Sequence, residues 1–220
     1  MRRIIGGAFV SLDGVVQAPG GPDEDKSGGF PYGGWMKPIA EEAVGHQIGT
    51  LFAGDFDLLL GRCTYDIFAG YWPYIPDDHP IAAKFAKADK YVLTRSDAPL
   101  GWRGSHRLAD LDALAEAKAS EGPDMIIQGS STLYPQLLAR GLLDRLVLMT
   151  APVTLGTGKR LFGEGVPAGV FRLVEHRLGP GGWSMATYEP AGPVTSGSYA
   201  TGEPSEAERR RRAKVEAGEW

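Results

Sequence analysis

The chain has 220 residues, which suits one domain large enough to bury a full hydrophobic core. Its hydrophobic share of 43% and charged share of 23% are ordinary for a soluble globular protein, and a net charge of −4 gives no overall attraction to nucleic acid or to an anionic membrane. No stretch approaches the roughly 18 consecutive apolar residues of a membrane span. Cys63 is the only cysteine, which excludes a disulfide within the chain and a cysteine-rich zinc site. We therefore expect no nucleic-acid partner and no membrane partner.

The N-terminal segment has a charged start like that of an export signal, but Asp13 cuts its apolar run short. We interpret Arg3–Val10 as a first strand instead, and we expect a cytoplasmic location. The four histidines are scattered along the chain with no two at metal-ligand spacing, so no metal site is expected.

Short apolar runs then alternate with helical stretches, a pattern typical of βα units with a largely parallel sheet. Further strands are predicted over Asp57–Leu60, Lys90–Thr94, Asp124–Gln128 and Arg145–Pro152, and near Gly169–Arg177 and Trp183–Glu189. Helices are predicted over Pro38–Ala53, Thr64–Ala69, Ile81–Lys87, Leu111–Ser120 and Ser131–Arg140. The last two strands are joined only by Gly179–Gly182, which is too short for a crossover, so they are expected to be antiparallel. The fold class is therefore α/β, with a mixed, mostly parallel sheet and antiparallel C-terminal strands.

Two segments fall outside this alternation. Residues 17–34 contain six glycines and three prolines, which predicts a long loop of the kind that forms a lid or stays disordered. We assign residues 1–190 to the folded domain and residues 191–220 to a flexible or helical C-terminal tail. Within the tail a helix is predicted over Glu203–Lys214, where glutamates four residues before arginines favour a self-neutralised surface over nucleic-acid binding.

Three predicted strands end in residues suited to phosphate, and in open α/β sheets ligands bind beyond the carboxyl ends of the strands. At the first of these ends, Gly61 lets a ligand approach the backbone, Arg62 offers a fork of donors, and Thr64 places a hydroxyl at a helix start. The alternative is that Thr64 caps a helix and Arg62 is an ordinary surface arginine.

The second strand end turns through Gly129 directly into a helix, with hydroxyls at Ser130, Ser131 and Thr132. Free backbone N–H groups and the helix dipole at such a turn favour a pyrophosphate. The full G-x-G-x-x-G fingerprint is absent, and a serine-capped helix without a ligand is the alternative.

The third strand ends in Thr94, Arg95 and Ser96, which supply a hydroxyl, a guanidinium and a second hydroxyl. This set suits a ribose 2′-phosphate, and so indicates NADP rather than NAD. A solvated arginine is the alternative here.

Several short motifs stand in a fixed order along the chain. Gly61-Arg62-Cys63-Thr64-Tyr65 resembles the Gly-Arg-x-Thr-aromatic motif of dihydrofolate reductases, and Gly129–Tyr134 resembles their glycine-rich turn and helix. The closer resemblance is to the bacterial bifunctional deaminase-reductase C-terminal family, which contains the riboflavin-biosynthesis reductase domain and stand-alone relatives. It rests on Ser11–Gly14, Gly33–Trp35, Leu59–Tyr65, Gly129-Ser130, Gly141–Asp144 and Pro152–Phe162, in the family's order from about residue 2 to residue 190. Gly129-Ser130 departs from the two adjacent glycines of dihydrofolate reductases and is shared with the stand-alone relatives.

The resemblance implies a dihydrofolate-reductase-like three-layer fold and an NADPH-binding reductase that is usually a homodimer. It implies pyrophosphate contacts from Arg62 and Thr64 and from the amides and hydroxyls of Gly129–Thr132. It also implies a 2′-phosphate site at Thr94 and Arg95. Ala8 and the segment Ser11–Gly14 correspond to the strand edge and the loop that frame the nicotinamide.

The proton source stays open among three carboxyl groups. Dihydrofolate reductases use an acidic residue on the helix that lines the pterin pocket, which makes Glu41 and Glu42 candidates, and Asp13 is a further one. The alternatives are solvated glutamates in a first helical turn and an Asp-Gly turn. Trp35, after two glycines, is expected to form a pocket wall that stacks on a flat heterocycle.

The expected function is NADPH-dependent hydride transfer to a pterin-like, flavin-precursor-like or small carbonyl substrate. True dihydrofolate reduction is an alternative, although the local sequence around the folate enzyme's acidic residue is missing. From a different class, the chain is alternatively a nucleotide-binding module that has lost catalysis. Steady NADPH oxidation with a panel of acceptors favours the enzyme, and tight binding without turnover favours the module.

Overall fold

The part of the chain that the computed structural model describes, residues 1–76 and 78–219, forms one eight-stranded sheet. Its strands are β1 (Ile4–Ser11), β2 (Phe56–Gly61), β3 (Lys90–Leu93), β4 (Ser105–Leu108), β5 (Asp124–Gln128), β6 (Arg145–Ala151), β7 (Val170–Leu178) and β8 (Ser184–Gly192). They lie in the order β4-β3-β2-β5-β1-β6-β8-β7. The first six strands in that order are parallel, and β8 and β7 are each antiparallel to the strand before them. The predicted mixed sheet with antiparallel C-terminal strands is confirmed.

Helices cover both faces of this sheet. They are α1 (Glu42–Leu51), α2 (Arg62–Ala69), α3 (Pro80–Lys87), α4 (Leu111–Ala119), α5 (Leu133–Ala139) and α6 (Glu206–Glu216). On β2, the fully buried Leu59 packs with α4 and α5, whereas Leu58 and Leu60 pack with residues of α1, α2 and α3. Since alternate residues of a strand face opposite sides, a strand covered on both faces is apolar throughout. The result is the predicted three-layer α/β arrangement.

Strand β4 was not predicted from the sequence. It reads Ser-His-Arg-Leu, it pairs with β3 along one side only, and of its four residues only Leu108 is buried. An edge strand exposed to solvent has little apolar periodicity, which is the main signal for a strand.

Helix α1 begins later than the predicted Pro38–Ala53. Lys37–Ile39 form a 3-10 turn, Ala40 and Glu41 are extended, and the α-helix starts at Glu42. Long-range contacts hold the break, because the Ile39 carbonyl accepts from Trp183 Nε1 at 2.7 Å and Glu41 Oε2 accepts from the Gly181 amide at 2.6 Å. Both partners lie more than 100 residues away, so no local pattern indicates the break.

Close packing beneath β1 leads to a stability prediction at Gly6. A Cβ on Gly6 would lie 2.5 Å from Cε1 of Tyr134, a fully buried side chain of α5. We expect Gly6→Ala to lower the free energy of unfolding by about 1–3 kcal/mol, because the ring has no space to move away. Chemical denaturation checks this against Gly49→Ala, where a Cβ meets nothing within 4 Å in helix α1 and should stabilise by about 0.5–1 kcal/mol. Equal stability of both variants would contradict the packing argument.

The C-terminal segment follows β8 and ends in α6, which begins and ends two to three residues later than predicted. Its N-cap is Ser205, whose hydroxyl accepts from the Glu208 amide. Glu206 pairs with Arg210 at 2.8 Å, and Glu208 pairs with Arg212 at 2.9 Å, as the four-residue spacing predicts. The described part of the chain holds no helix with a membrane-spanning length of apolar residues.

Candidate functional site

A cavity of about 1500 Å3 opens where the parallel strands end. It is lined by the segments that follow β2, β3, β4 and β5, by the loop after β1, and by apolar side chains from α1, α2 and α3. The chain runs from β1 to β2 in one direction across the sheet and returns to β5 between them. A crevice at such a reversal, beyond the carboxyl ends of the strands, is the usual place for a ligand in α/β proteins.

The segments after β2 and β5 are bonded to each other across this cavity. The Gly61 amide donates to Ser130 Oγ at 2.9 Å, and the Ser130 amide donates to Thr64 Oγ1 at 3.1 Å. These two amides are therefore already paired within the protein. The donors left for a phosphate are the hydroxyl protons of Thr64, Ser130, Ser131 and Thr132 and the remaining amides of the turn.

The turn after β5 has a left-handed backbone at two consecutive residues, Gly129 (φ +84°) and Ser130 (φ +51°). A Cβ at position 129 would lie 3.4 Å from Thr64 Cγ2, so glycine serves both the backbone angle and the close approach to α2. Positive φ at a non-glycine residue is uncommon and is concentrated at functional sites. Ser130 keeps this conformation through its two bonds to the β2 side.

Arg62 is fixed on the wall of the cavity. Its Nε donates to both carboxylate oxygens of Asp66 at 3.0 Å, and its Nη1 donates to the Ala98 carbonyl at 2.9 Å. Its Nη2 has no hydrogen-bond partner among residues 1–76 and 78–219. A guanidinium held in this way presents a defined edge to an anion with little further loss of side-chain freedom.

Arg95 differs from the other cations at the cavity. Arg62, Arg140 and Lys159 each form an ion pair with an acidic side chain, respectively Asp66, Asp112 and Asp25. The exposed Arg95 side chain has no such partner in the described residues, and only its carbonyl is bonded, to Arg107 Nη2. Beside it the buried Thr94 accepts from the Ser96 amide at 3.1 Å, which tightens the turn. Arg95 is therefore free to bind an anion.

The remainder of the cavity is mostly apolar. It is lined by Phe9, Met36, Ile48, Phe52, Ile67 and Phe68. Within this region Gln128, at the end of β5, has a buried Oε1 with no hydrogen-bond partner among the described residues. A Cβ on Gly7 of the neighbouring strand would lie 3.4 Å from that oxygen. An unpaired buried acceptor costs free energy.

Comparison with known proteins agrees with this architecture. The family model for the RibD C-terminal domain matches residues 2–183. The chain belongs to the RibD C-terminal domain family. It is 28% identical over 166 residues to the uncharacterized protein YyaP of Bacillus subtilis (strain 168), covering 73% of this chain and 80% of that protein.

Solved structures with the same fold are more distant in sequence. One is a protein of Shewanella sp. PV-4 provisionally named a riboflavin biosynthesis protein (TM-score 0.64, 22% identity, 86% of this chain and 99% of that chain). A pyrimidine reductase-like protein of Corynebacterium diphtheriae has a TM-score of 0.55 at 16% identity, over 86% and 92% of the two chains. Dihydrofolate reductase of Enterococcus faecalis, solved with NADP(H) and RAB-propyl, has a TM-score of 0.54 at 17% identity, over 86% and 96%. These likenesses establish the dihydrofolate-reductase-like fold of this family member.

The structure brings most of the predicted cofactor residues of this RibD-type domain to one cavity. Its lining includes Ala8, Gly61, Arg62, Thr64, Thr94, Arg95, Gly129, Ser130, Ser131 and Thr132. Gly14 is not among the lining residues; it has φ +85° in the tight turn after β1, where its amide donates to the Ser11 carbonyl. The functional roles of all these residues stay predictions.

The three predicted carboxyl groups lie elsewhere. Asp13 accepts from Ser11 Oγ at 2.6 Å and from the Leu155 and Gly156 amides, and these bonds lower the pKa of Asp13 to about 2. Glu41 is bonded to Gly181, as described above, and Glu42 is exposed at the first turn of α1. None of the three lines the large cavity. The geometry therefore gives no support to their predicted catalytic role, because their carboxyl groups belong to turns and a helix start outside the cavity.

Trp35 also lies outside the large cavity. Its ring is buried in the core with Phe30 and Trp183, its Nε1 donates to the Gln17 carbonyl at 2.9 Å, and it borders only a shallow depression next to Tyr32. The predicted pocket wall is thus not found at this cavity. The ring instead packs beneath the loop that follows β1.

Glu24 lines the large cavity and was missed by the sequence analysis. Its Oε2 accepts from the Gly20 amide at 2.7 Å and from the Gly21 amide at 3.2 Å, and burial raises the pKa of its carboxyl group. The loop around it, rich in glycine and proline, has no periodicity that marks one acidic residue among three. Only the folded loop distinguishes Glu24 from its neighbours.

Proposed function

We propose that this protein is a reductase that uses NADPH to transfer a hydride to a heterocyclic substrate of pterin-like or flavin-precursor-like type, or to a small carbonyl compound. The observation that carries the proposal is a single cavity that joins a polar edge, formed after β2, β3 and β5, to an apolar region beside α1. Membership of the RibD C-terminal domain family and the likeness in fold to a dihydrofolate reductase solved with NADP(H) support a reductase.

The residues present fit such a cofactor. Gly129 leaves space beside Thr64 that a side chain would fill, and Arg95 is a cation without an acidic partner in the described chain. In this proposal, Arg62, Thr64, Ser131 and Thr132 hold the pyrophosphate, and Thr94 with Arg95 holds the 2′-phosphate. When bound, the nicotinamide supplies the hydride.

The substrate end is formed by the chain's own apolar and amide groups. Ala8 and Phe9 of β1 offer a surface against which flat rings pack, and Met36, Ile48 and Phe52 exclude water from it. The side-chain amide of Gln128 borders the same region.

Equilibrium titration followed by an acceptor panel tests the proposal. We expect protein fluorescence to report tighter binding of NADPH than of NADH. With a 7,8-dihydropterin, an aminopyrimidinone and an aldehyde as separate acceptors, we expect steady loss of nicotinamide absorbance for at least one heterocycle, above a control without acceptor. Failure to bind NADPH, or binding without turnover of any acceptor, would overturn the proposed function.

A homodimer, which the resemblance implies, is part of the same proposal. The outer strand β7 carries exposed apolar side chains, Val170, Leu173, Val174 and Leu178. An exposed apolar edge strand is suited to pairing with a second copy of the chain. Light scattering after size exclusion should give twice the chain mass, and a monomer mass would overturn this part.

A further inference from the structure

We propose that Glu24, presented by the loop after β1, donates the proton that completes reduction of the substrate. This assignment rests on the proposed function and adds to it the residue that supplies the second half of the reaction. It is argued from the fixed loop that carries Glu24, from the bonds of its carboxyl group, and from the pairing of the other acidic groups at the cavity.

The loop after β1 is held in place rather than free. Its two ends are hydrogen-bonded to each other, because the Gly34 amide donates to the Ala18 carbonyl at 2.8 Å and the Met36 amide donates to the Pro19 carbonyl. A Cβ on Gly33 would lie 2.8 Å from Pro22 Cα, so the end of the loop packs directly on its first half. This close approach turns residues 20–25 toward the cavity, where they form part of its lining.

The side chain of Gln17 also holds this loop in place. Its buried side chain donates from Nε2 to the Asp25 and Ser27 carbonyls, at 3.1 and 2.9 Å, and its Oε1 accepts from the Lys159 amide at 3.0 Å. An amide with all these bonds made has little freedom to reorient. The loop therefore holds Glu24 in a defined position, as a catalytic acid requires.

The carboxyl group of Glu24 is arranged for giving up and regaining a proton. Oε2 is bonded to the Gly20 and Gly21 amides, whereas Oε1 has no hydrogen-bond partner among residues 1–76 and 78–219. Burial favours the protonated form and raises the pKa, while the two amides stabilise the carboxylate left after transfer. A proton on Oε1 is thus the one available to a substrate.

The other acidic groups at the cavity are engaged. Asp25 pairs with Lys159 at 2.6 Å, and although burial opposes it, bonds from Lys159 and Ser27 lower the pKa of Asp25. Asp23, one residue before Glu24, is paired with Lys26 and exposed to solvent. The strand ends place further charged groups at the cavity, namely Arg62, Arg95, Asp110 and the pair Asp112–Arg140. The Asp110 carboxylate accepts from the first amides of α4. Glu24 is the acidic side chain of the described lining without a cationic or helix-capping partner.

The step balances with one hydride and one proton. The acceptor carbon of a C=N or C=O bond receives a hydride from the reduced nicotinamide, and the bond's electron pair moves to the nitrogen or oxygen. That heteroatom takes the proton from Glu24 Oε1, which leaves a carboxylate bonded to the two amides. Solvent at the open side of the loop then returns the proton.

A matched pair of acceptors separates hydride transfer from proton transfer. The neutral imine 3,4-dihydroisoquinoline needs both, whereas its N-methyl iminium cation needs only the hydride. With NADPH saturating and the pH about two units above the pKa of the imine, Glu24→Gln should reduce kcat for the neutral imine by about 10- to 100-fold, a limit set by the fraction that solvent protonates, and leave the cation within about threefold of wild type. Glu164→Gln, the same change at an exposed glutamate that does not line the cavity, should leave both rates unchanged.

A second measurement is independent of turnover. Carboxyl ¹³C resonances of the glutamates, with the Glu24 signal identified by its absence in Glu24→Gln, should show Glu24 titrating at higher pH than a glutamate in a short unstructured peptide. Titration at or below the peptide value, or equal loss of both acceptor rates in Glu24→Gln, would overturn the assignment of Glu24 alone. If wild type bound NADPH and reduced neither these two acceptors nor any member of the acceptor panel, the proposed function would fall and this assignment with it.

Discussion

Replacing Arg95 with alanine is expected to weaken NADPH binding by about 10- to 100-fold and to leave NADH binding almost unchanged. A hydrogen bond to a charged group contributes about 1.5–3 kcal/mol, and each 1.4 kcal/mol is a tenfold change in the dissociation constant. Arg95 lines the cavity without an acidic partner in the described residues, so its guanidinium binds a phosphate without first breaking an ion pair within the protein. Only NADPH carries the phosphate that it would bind.

Arg62 provides the matched control for that experiment. Its guanidinium is anchored by Asp66 and Ala98 beside the turn proposed to hold the pyrophosphate, a group that both nucleotides share. Arg62→Ala should therefore weaken NADPH and NADH by similar factors. Fluorescence titration of the two variants with both nucleotides gives four dissociation constants. Equal losses of NADPH and NADH affinity in Arg95→Ala would remove the 2′-phosphate role from Arg95.

The polar edge of the cavity could be predicted from the sequence because its signals are local. A buried strand, a glycine and a hydroxyl or guanidinium stand next to each other in the chain at Gly61–Thr64 and at Gly129–Thr132. Parallel strands bring such ends to one edge of the sheet, whatever the exact strand order. The two segments in fact bond directly to each other through Ser130, which is more contact than spacing alone indicated.

The places of Glu41, Trp35 and Glu24 could not be predicted in the same way because long-range contacts set them. Glu41 was selected for its place at a helix start, yet its Oε2 is bonded to Gly181, 140 residues away. Trp35 follows two glycines as a pocket residue would, yet those glycines pack on Pro22 and the ring is buried. Glu24 becomes distinct only when the loop closes on itself.

A different part of the sheet carries the largest expected effect on stability. Arg2 and Asp57 form a buried ion pair at the amino ends of the strands, with side chains only 2% and 9% exposed. Arg2 also donates from Nε to the Pro123 carbonyl at 2.6 Å and lies over the Tyr91 ring, 4.9 Å from its centroid. Asp57 Oδ1 accepts from the Asp89 amide at 3.0 Å, which joins β2 to the start of β3. The pair thus ties together four segments, at the starts of β1, β2, β3 and β5, at the edge opposite the cavity.

Asp57→Ala is expected to lower the free energy of unfolding by about 3–5 kcal/mol, because it leaves the Arg2 guanidinium buried without a counter-charge. Asp112→Ala, which breaks the exposed ion pair with Arg140, should cost no more than about 1 kcal/mol. Urea unfolding of both variants measures the difference.

The double variant Arg2→Met, Asp57→Ala should be more stable than Asp57→Ala alone, since the unpaired charge is gone. A double variant less stable than Asp57→Ala would mean that Arg2 acts mainly through Pro123 and Tyr91. Because the pair lies at the opposite edge of the sheet, folded Asp57→Ala protein should still bind NADPH as wild type does.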